Sequence, residues 1–152
     1  MLGWQGVGIL GAYARYGERR WDPEQFFRSG ETEIADILEY AGDRGQGINP
    51  GKALDFGCGV GRLTQALCSH FDQVLGVDIA PSMIDLARKF NQYGSRCDYL
   101  LNAADHLDLF PEDHFDFICS MQVLQHMKPD LMRSYIRGYI RALARVFQLP
   151  SH

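Results

Sequence analysis

The run Asp55 to Gly61 in "ALDFGCGVGRLTQAL" places an acid ahead of three glycines at alternate positions, Gly57, Gly59 and Gly61. The apolar stretch before the glycines suits a buried strand, and Leu63, Ala66 and Leu67 after them fall at helical spacing. The glycines therefore sit at a strand-to-helix turn. Such a turn uses positive φ angles and lets main-chain N–H groups come close to a ligand, both of which a Cβ obstructs.

The rest of the chain continues the alternation. Asp22-Pro23 reads as an N-cap and first helical position opening a short helix, and an N-terminal helical segment extends to about Gly30. A second helix is expected from Glu31, with Ile34, Ile37, Leu38 and Ala41 on one stripe, stopped by "GDRGQGINPG". Gln73 to Ile79 reads as a strand, and "PSMIDLARKF" as a helix with Met83, Leu86, Ala87 and Phe90 inward. "CDYLLN" and Phe115 to Met121 are two further strands. Pro129 then opens a helix carrying Leu131, Met132, Tyr135, Ile136, Tyr139, Ile140 and Leu143, and "VFQL" begins a fifth strand. Strands alternating with helices at this spacing imply βαβ units and an α/β fold with a mostly parallel sheet. Ligands of such sheets bind beyond the carboxyl ends of the strands. Residues 1–30 are expected to pack on one domain formed by residues 31–152.

With 152 residues, a formal net charge of −4 and 46% hydrophobic residues, the chain is neither disordered nor marked by the basic footprint of a nucleic-acid binder. No stretch approaches the ~18 apolar residues of a membrane span. The opening "MLGWQGVGILGAYA" lacks the basic start of a secretory signal, and Gln5 and the glycines interrupt its apolar run. Cys58, Cys68, Cys97 and Cys119 form no C-x-x-C pair, and no His stands at metal-ligand spacing. They read as reduced structural thiols of a cytoplasmic protein, with no metal implied.

The acids narrow the ligand. Asp78, at the end of the second strand, is placed to accept from the hydroxyls of a ribose. The glycine spacing is G-x-G-x-G, whereas the dinucleotide fingerprint is G-x-G-x-x-G. A carboxylate at Asp55 disfavours a pyrophosphate and favours a ligand carrying an ammonium and a sulfonium, as S-adenosylmethionine does.

At "LDFGCGVGRLT", "VLGVDIAPSMIDLAR" and "NAADHLDLFPEDHFDFICSMQVLQHM" the chain resembles the class I S-adenosylmethionine-dependent methyltransferases, and among them the small-molecule enzymes. The resemblance spans roughly Glu31 to Met127. It implies a Rossmann-like three-layer αβα sandwich and methyl transfer to a small-molecule acceptor by in-line displacement. Gly57, Cys58, Gly59 and Gly61 would wrap the methionine portion of the cofactor, and Asp55 would steady the loop or the amino group. Asp78 would hold the ribose, with Ile79 and Met83 on the adenine. Asp105 would accept from the adenine amino group, the backbone at Ala104 or His106 would meet the ring edge, and Ser120 and Met121 would close the floor under the methyl group.

Several residues carry a second reading. Met83 and Ile79 also suit a core, Asp105 also suits a turn cap, and His126 is either a pocket-lining residue or a general base. Arg133, Arg137, Arg141 and Arg145 recur every four residues and read as a solvated helix face. After "RALARVFQLPSH" the family's usual last turn, strand and hairpin have no counterpart, so the sheet is expected to end early and to pair with a second copy through its C-terminal edge. A cofactor-binding module without turnover, and a nicotinamide-dependent oxidoreductase on a similar sheet, are the alternative functions; the glycine spacing and Asp55 argue against the second.

Overall fold

The structure is a computed structural model, and it describes residues 22–104, 106–121 and 127–143. Its first helix, α1 (Pro23–Asp43), starts where the sequence indicates: the Asp22 side chain accepts from the Glu24 amide at 3.0 Å and proline takes the first turn. The two helices expected on either side of Gly30 are a single helix. Gly30 interrupts nothing because it is buried against the next helix, where a Cβ would lie 2.5 Å from the carbonyl oxygen of Arg62. It is a contact glycine, and Arg62 reinforces that contact with a 2.7 Å salt bridge to Glu33 and a hydrogen bond to Ser29.

Four parallel strands follow, β1 (Lys52–Phe56), β2 (Gln73–Asp78), β3 (Cys97–Leu101) and β4 (Phe117–Cys119), in the spatial order β3-β2-β1-β4. The helices α2 (Arg62–Leu67), α3 (Pro81–Phe90) and α4 (Pro129–Ala142) connect or follow them. A single parallel bridge joins Phe115 to Leu143 outside β4. The "VFQL" strand lies outside the described residues. Because β1 has β2 on one side and β4 on the other, the chain reverses its direction of travel there, and the crevice between their carboxyl ends is the topological switch point.

Alternation along β1 divides the core. Ala53 joins Ile34, Leu67, Cys68, Ile84 and Tyr99 on the α1/α2/α3 side, while Leu54 and Phe56 join Val77, Leu107, Tyr135 and Tyr139 on the α4 side. Both faces of the central strands are therefore covered, as a parallel sheet requires.

Two helix faces differ from the sequence expectation. On α3 the buried residues are Ile84 and Ala87, with Met83 half-buried. On α4 they are Tyr135, Gly138, Tyr139 and Ala142, whereas Ile136 and Ile140 are exposed. Each isoleucine follows a buried tyrosine by one residue, or about 100° around the helix, so a face centred on the tyrosines turns Ile140 outward.

Candidate functional site at the switch point

The backbone of the turn after β1 is tied down before any side chain is considered. The Gly57 and Cys58 amides both donate to the Val77 carbonyl, at 2.7 and 3.0 Å, which pins the turn to the end of β2. Gly57, Gly59 and Gly61 have φ angles of 78°, 55° and 91°, in the left-handed region that the sequence predicts for them. Around Gly59 a Cβ would meet nothing within 4 Å, so the space beside the turn there is open.

Asp78 completes the arrangement. Its two carboxylate oxygens accept from the Gly59 and Ala80 amides, both at 2.9 Å, so one side chain fastens the glycine turn to the start of α3. Each carboxylate oxygen offers a second lone pair, and the residue is half-buried, so acceptor capacity remains toward the crevice. Ile79 beside it is 58% exposed at the mouth of β2.

Asp55 lies deeper. It is 2% exposed and accepts from the Thr64 hydroxyl at 2.7 Å, which anchors the first turn of α2 to β1. Burial raises its pKa from the ordinary 3.8 to about 6; the Thr64 hydrogen bond works against the rise and the nearby Asp78 charge adds to it. The hydrogen bond thus ties Asp55 to α2 rather than to the glycine turn itself.

A stability consequence follows from that raised pKa. The folded state holds the Asp55 proton more tightly than the unfolded chain does, so this residue lowers stability as pH rises from 3.8 to about 6 and contributes no further change above it. Asp55→Asn, which keeps an acceptor for Thr64, is expected to remove about 3 kcal/mol of that decline. Urea denaturation of both proteins at pH 4 and pH 7 measures it. Identical differences between the two pH values would show that Asp55 is ionised as easily when folded as when unfolded.

The row across the sheet at Asp55 explains its surroundings. Gly76 and Cys119 pair with Asp55 in register, and Tyr99 pairs with Gly76. Gly76 makes room for the Tyr99 ring, since a Cβ there would lie 2.7 Å from ring carbon Cδ1. The ring crosses it and brings its hydroxyl under Gly61, where it accepts from the Cys97 thiol at 3.3 Å. All four cysteines are buried and free. Burial and the Asp55 charge push the Cys58 thiol up, which disfavours its thiolate.

The other wall of the crevice is held from α4. Asn102 accepts from the Ala104 amide at 3.0 Å and donates to the His106 carbonyl at 3.3 Å, which shapes the turn after β3. The Tyr135 hydroxyl donates to the Ala104 carbonyl at 2.8 Å, and the Tyr139 hydroxyl donates to Ser120 Oγ at 3.1 Å. One helix thus supports the turn after β3 and the turn after β4. Ser120 is half-buried and Met121 is 40% exposed.

The sequence-predicted residues Asp55, Gly57, Cys58, Gly59, Gly61, Asp78, Ile79, Met83, Ala104, His106, Ser120 and Met121 all lie at the carboxyl ends of the strands or in the segments just after them. Asp105 and His126 lie outside the described residues. Thr64, Tyr99, Asn102, Tyr135 and Tyr139 are supporting residues that the sequence reading does not single out. The Tyr135/Tyr139 spacing of four is a signal for them, because two hydroxyls on one buried helix face need partners.

Known proteins carry the same pattern. A family model described as a methyltransferase domain matches residues 53–145. The ubiquinone biosynthesis O-methyltransferase of Idiomarina loihiensis is 29% identical over 135 residues, which are 88% of this chain and 55% of that protein. The PH0226 protein of Pyrococcus horikoshii is 26% identical with a TM-score of 0.65, over 78% of this chain and 53% of that one. The phosphoethanolamine N-methyltransferase 1 of Haemonchus contortus, solved with phosphoethanolamine and S-adenosylhomocysteine, has the same fold at 19% identity and a TM-score of 0.63, over 94% of this chain and 32% of that one. The chain spans about half the length of the curated relatives it matches. Its glycine turn, parallel sheet and the match over residues 53–145 together make it a member of the methyltransferase-domain family, with the class I fold.

Proposed function

We propose that this chain binds S-adenosylmethionine at the switch point and serves methyl transfer from it to a small-molecule acceptor. The observation that carries this reading is the glycine turn fastened by Asp78, with open space beside Gly59. That opening is a cradle that a side chain would fill, which fits a ligand lying directly against main chain. The name of the Idiomarina relative and the S-adenosylhomocysteine bound to the Haemonchus enzyme support the same reading.

The cofactor supplies an electrophilic methyl group on a positively charged sulfur, which is already a good leaving group. The protein therefore needs to position rather than to activate. Gly57, Cys58, Gly59 and Gly61 hold the methionine portion through main chain, and Asp78 uses its remaining lone pairs on the ribose. Ile79 and Met83 pack on the adenine, Asp105 accepts from its amino group, and the His106 backbone meets the ring edge. The Ala104 amide is already taken by Asn102 and its carbonyl by Tyr135, whereas at His106 Asn102 engages the carbonyl, so the His106 amide is the better candidate of the two. Ser120 and Met121 line the approach of the acceptor, and His126 is the candidate for moving its proton. Exclusion of water around the aligned acceptor strengthens the electrostatics of the transfer. Cytoplasmic residence belongs to the same proposal, as does pairing with a second copy, which the exposed Ile136 and Ile140 on α4 support. Among the described residues no helix is long and apolar enough to cross a membrane.

Calorimetry with S-adenosylmethionine and with a nicotinamide dinucleotide tests the ligand, and mass spectrometry of small-molecule extracts incubated with protein and cofactor tests the transfer. Binding of the first cofactor alone, with a new product 14 mass units heavier than its precursor, is expected from the added CH₂ of a methyl replacing a hydrogen, roughly as any methylation gives. Gly59→Val should abolish cofactor binding in a folded protein, because the side chain would occupy the cradle and resist a φ of 55°. Native affinity in that variant would move the site elsewhere.

A further inference from the structure

Away from the glycine turn, α4 and the segment after β3 border an open hollow of about 450 Å³ whose lining includes Arg133, Arg137 and Arg141. From this geometry we infer a second binding site, one that takes the phosphate group of a small phosphate monoester. The three arginines, at intervals of four, read from sequence as a solvated face; the structure instead brings them to one concavity facing His106 and Asp108. Neighbours on such a stripe stand about 6 Å apart, close enough for two guanidinium groups to grip one phosphate.

The state of each arginine supports this. Arg141 is already fixed, since its guanidinium donates to the Leu107 carbonyl at 2.9 Å, and further N–H groups of the same fork remain for a ligand. Arg133 has only a long contact of 3.8 Å to Asp130, whose side chain is 99% exposed. Arg137 has no hydrogen bond or ion pair among the described residues. Three permanent positive charges thus line one hollow in a chain whose net charge is −4, and Arg137 is unpaired among the described residues.

The carboxylates decide what kind of phosphate fits. Asp130 also lines the hollow, and Asp108 lies beside His106 with 3.5 Å between its Oδ2 and Nδ1. Their presence in the same lining confines the positive potential to a patch of a few guanidinium groups, which suits one phosphate and opposes a long polyanion such as a nucleic acid. The volume suits a small molecule. This site shares with the proposed cofactor residues only His106, so its test does not depend on methyl transfer.

Calorimetric titration of the whole chain with inorganic phosphate, glycerol 3-phosphate and glycerol is the experiment. Saturable binding of both phosphate compounds, none of glycerol, and a loss of about tenfold in affinity in Arg137→Gln are expected. Lys89→Gln, which removes an equal charge from an exposed position on α3, should leave the affinity unchanged. Binding of glycerol 3-phosphate alone would also support the site and would assign part of the recognition to the ester's organic end. No saturable binding of either phosphate compound, or equal weakening by both variants, would overturn the inference. Tighter binding of a single-stranded oligonucleotide than of glycerol 3-phosphate would overturn it in favour of a polyanion surface.

Discussion

Gly61→Ala is expected to destabilise the chain by about 2 to 6 kcal/mol. Two costs add. Gly61 has a φ of 91°, where an L-residue is strained by roughly 1 to 3 kcal/mol. Its Cβ would also land on the Tyr99 hydroxyl, which is buried and engaged with Cys97 and so has little room to retreat; overpacking of this kind costs typically about 1 to 3 kcal/mol. For a domain of this size the melting temperature should fall by roughly 10 °C. Urea denaturation of Gly61→Ala, Tyr99→Phe and the double variant separates the two costs. Removing the phenolic oxygen should recover about 1 to 2 kcal/mol of the loss, while the backbone strain persists. A Gly61→Ala protein as stable as its parent would show that Tyr99 does not lie where the register of β2 and β3 puts it.

Asp78→Ala should weaken cofactor binding by roughly 3 to 5 kcal/mol, a loss of more than about a hundredfold in affinity. The ribose contact by itself accounts for about 1.5 to 3 kcal/mol, the range for a hydrogen bond to a charged group. The remainder comes from the protein. Without the carboxylate, the Gly59 and Ala80 amides lose their common acceptor, and the turn that should receive the ligand is free to adopt other conformations. Asp78→Asn distinguishes the two contributions: its one carbonyl oxygen can serve only one of the two amides, so an intermediate affinity is expected. Calorimetry on all three proteins, with circular dichroism to verify folding, gives the result. Unchanged affinity in folded Asp78→Ala would remove the ribose from this end of β2.

Local chemistry was readable from the residues themselves. The positive φ angles at Gly57, Gly59 and Gly61 and the Asp22 cap each follow from one residue's own backbone preference, so no knowledge of neighbours was needed. What escaped the sequence depends on partners brought together by the sheet. Tyr99 reaches Gly61 across 38 positions of chain only because β3 lies next to β2 and Gly76 leaves space for its ring. Gly30 has the composition of a helix stop and the environment of a helix contact, and only the approach of Arg62 tells the two apart. The stripe on α4 was misread for a similar reason, because Ile140 and Tyr139 are both acceptable core residues and the hydroxyl partner of Tyr139, Ser120, belongs to a different segment.

The hydrogen bonds from Gly57 and Cys58 to Val77, and from Gly59 to Asp78, are all made within the protein itself. Ordering the turn is therefore completed when the sheet forms. A ligand arriving at the crevice meets a finished surface, so its encounter is governed by diffusion and orientation, with no slow rearrangement of the turn in series. Differences in residence time among ligands would then arise in the parts of the crevice that the turn does not build, above all on the walls supported from α4.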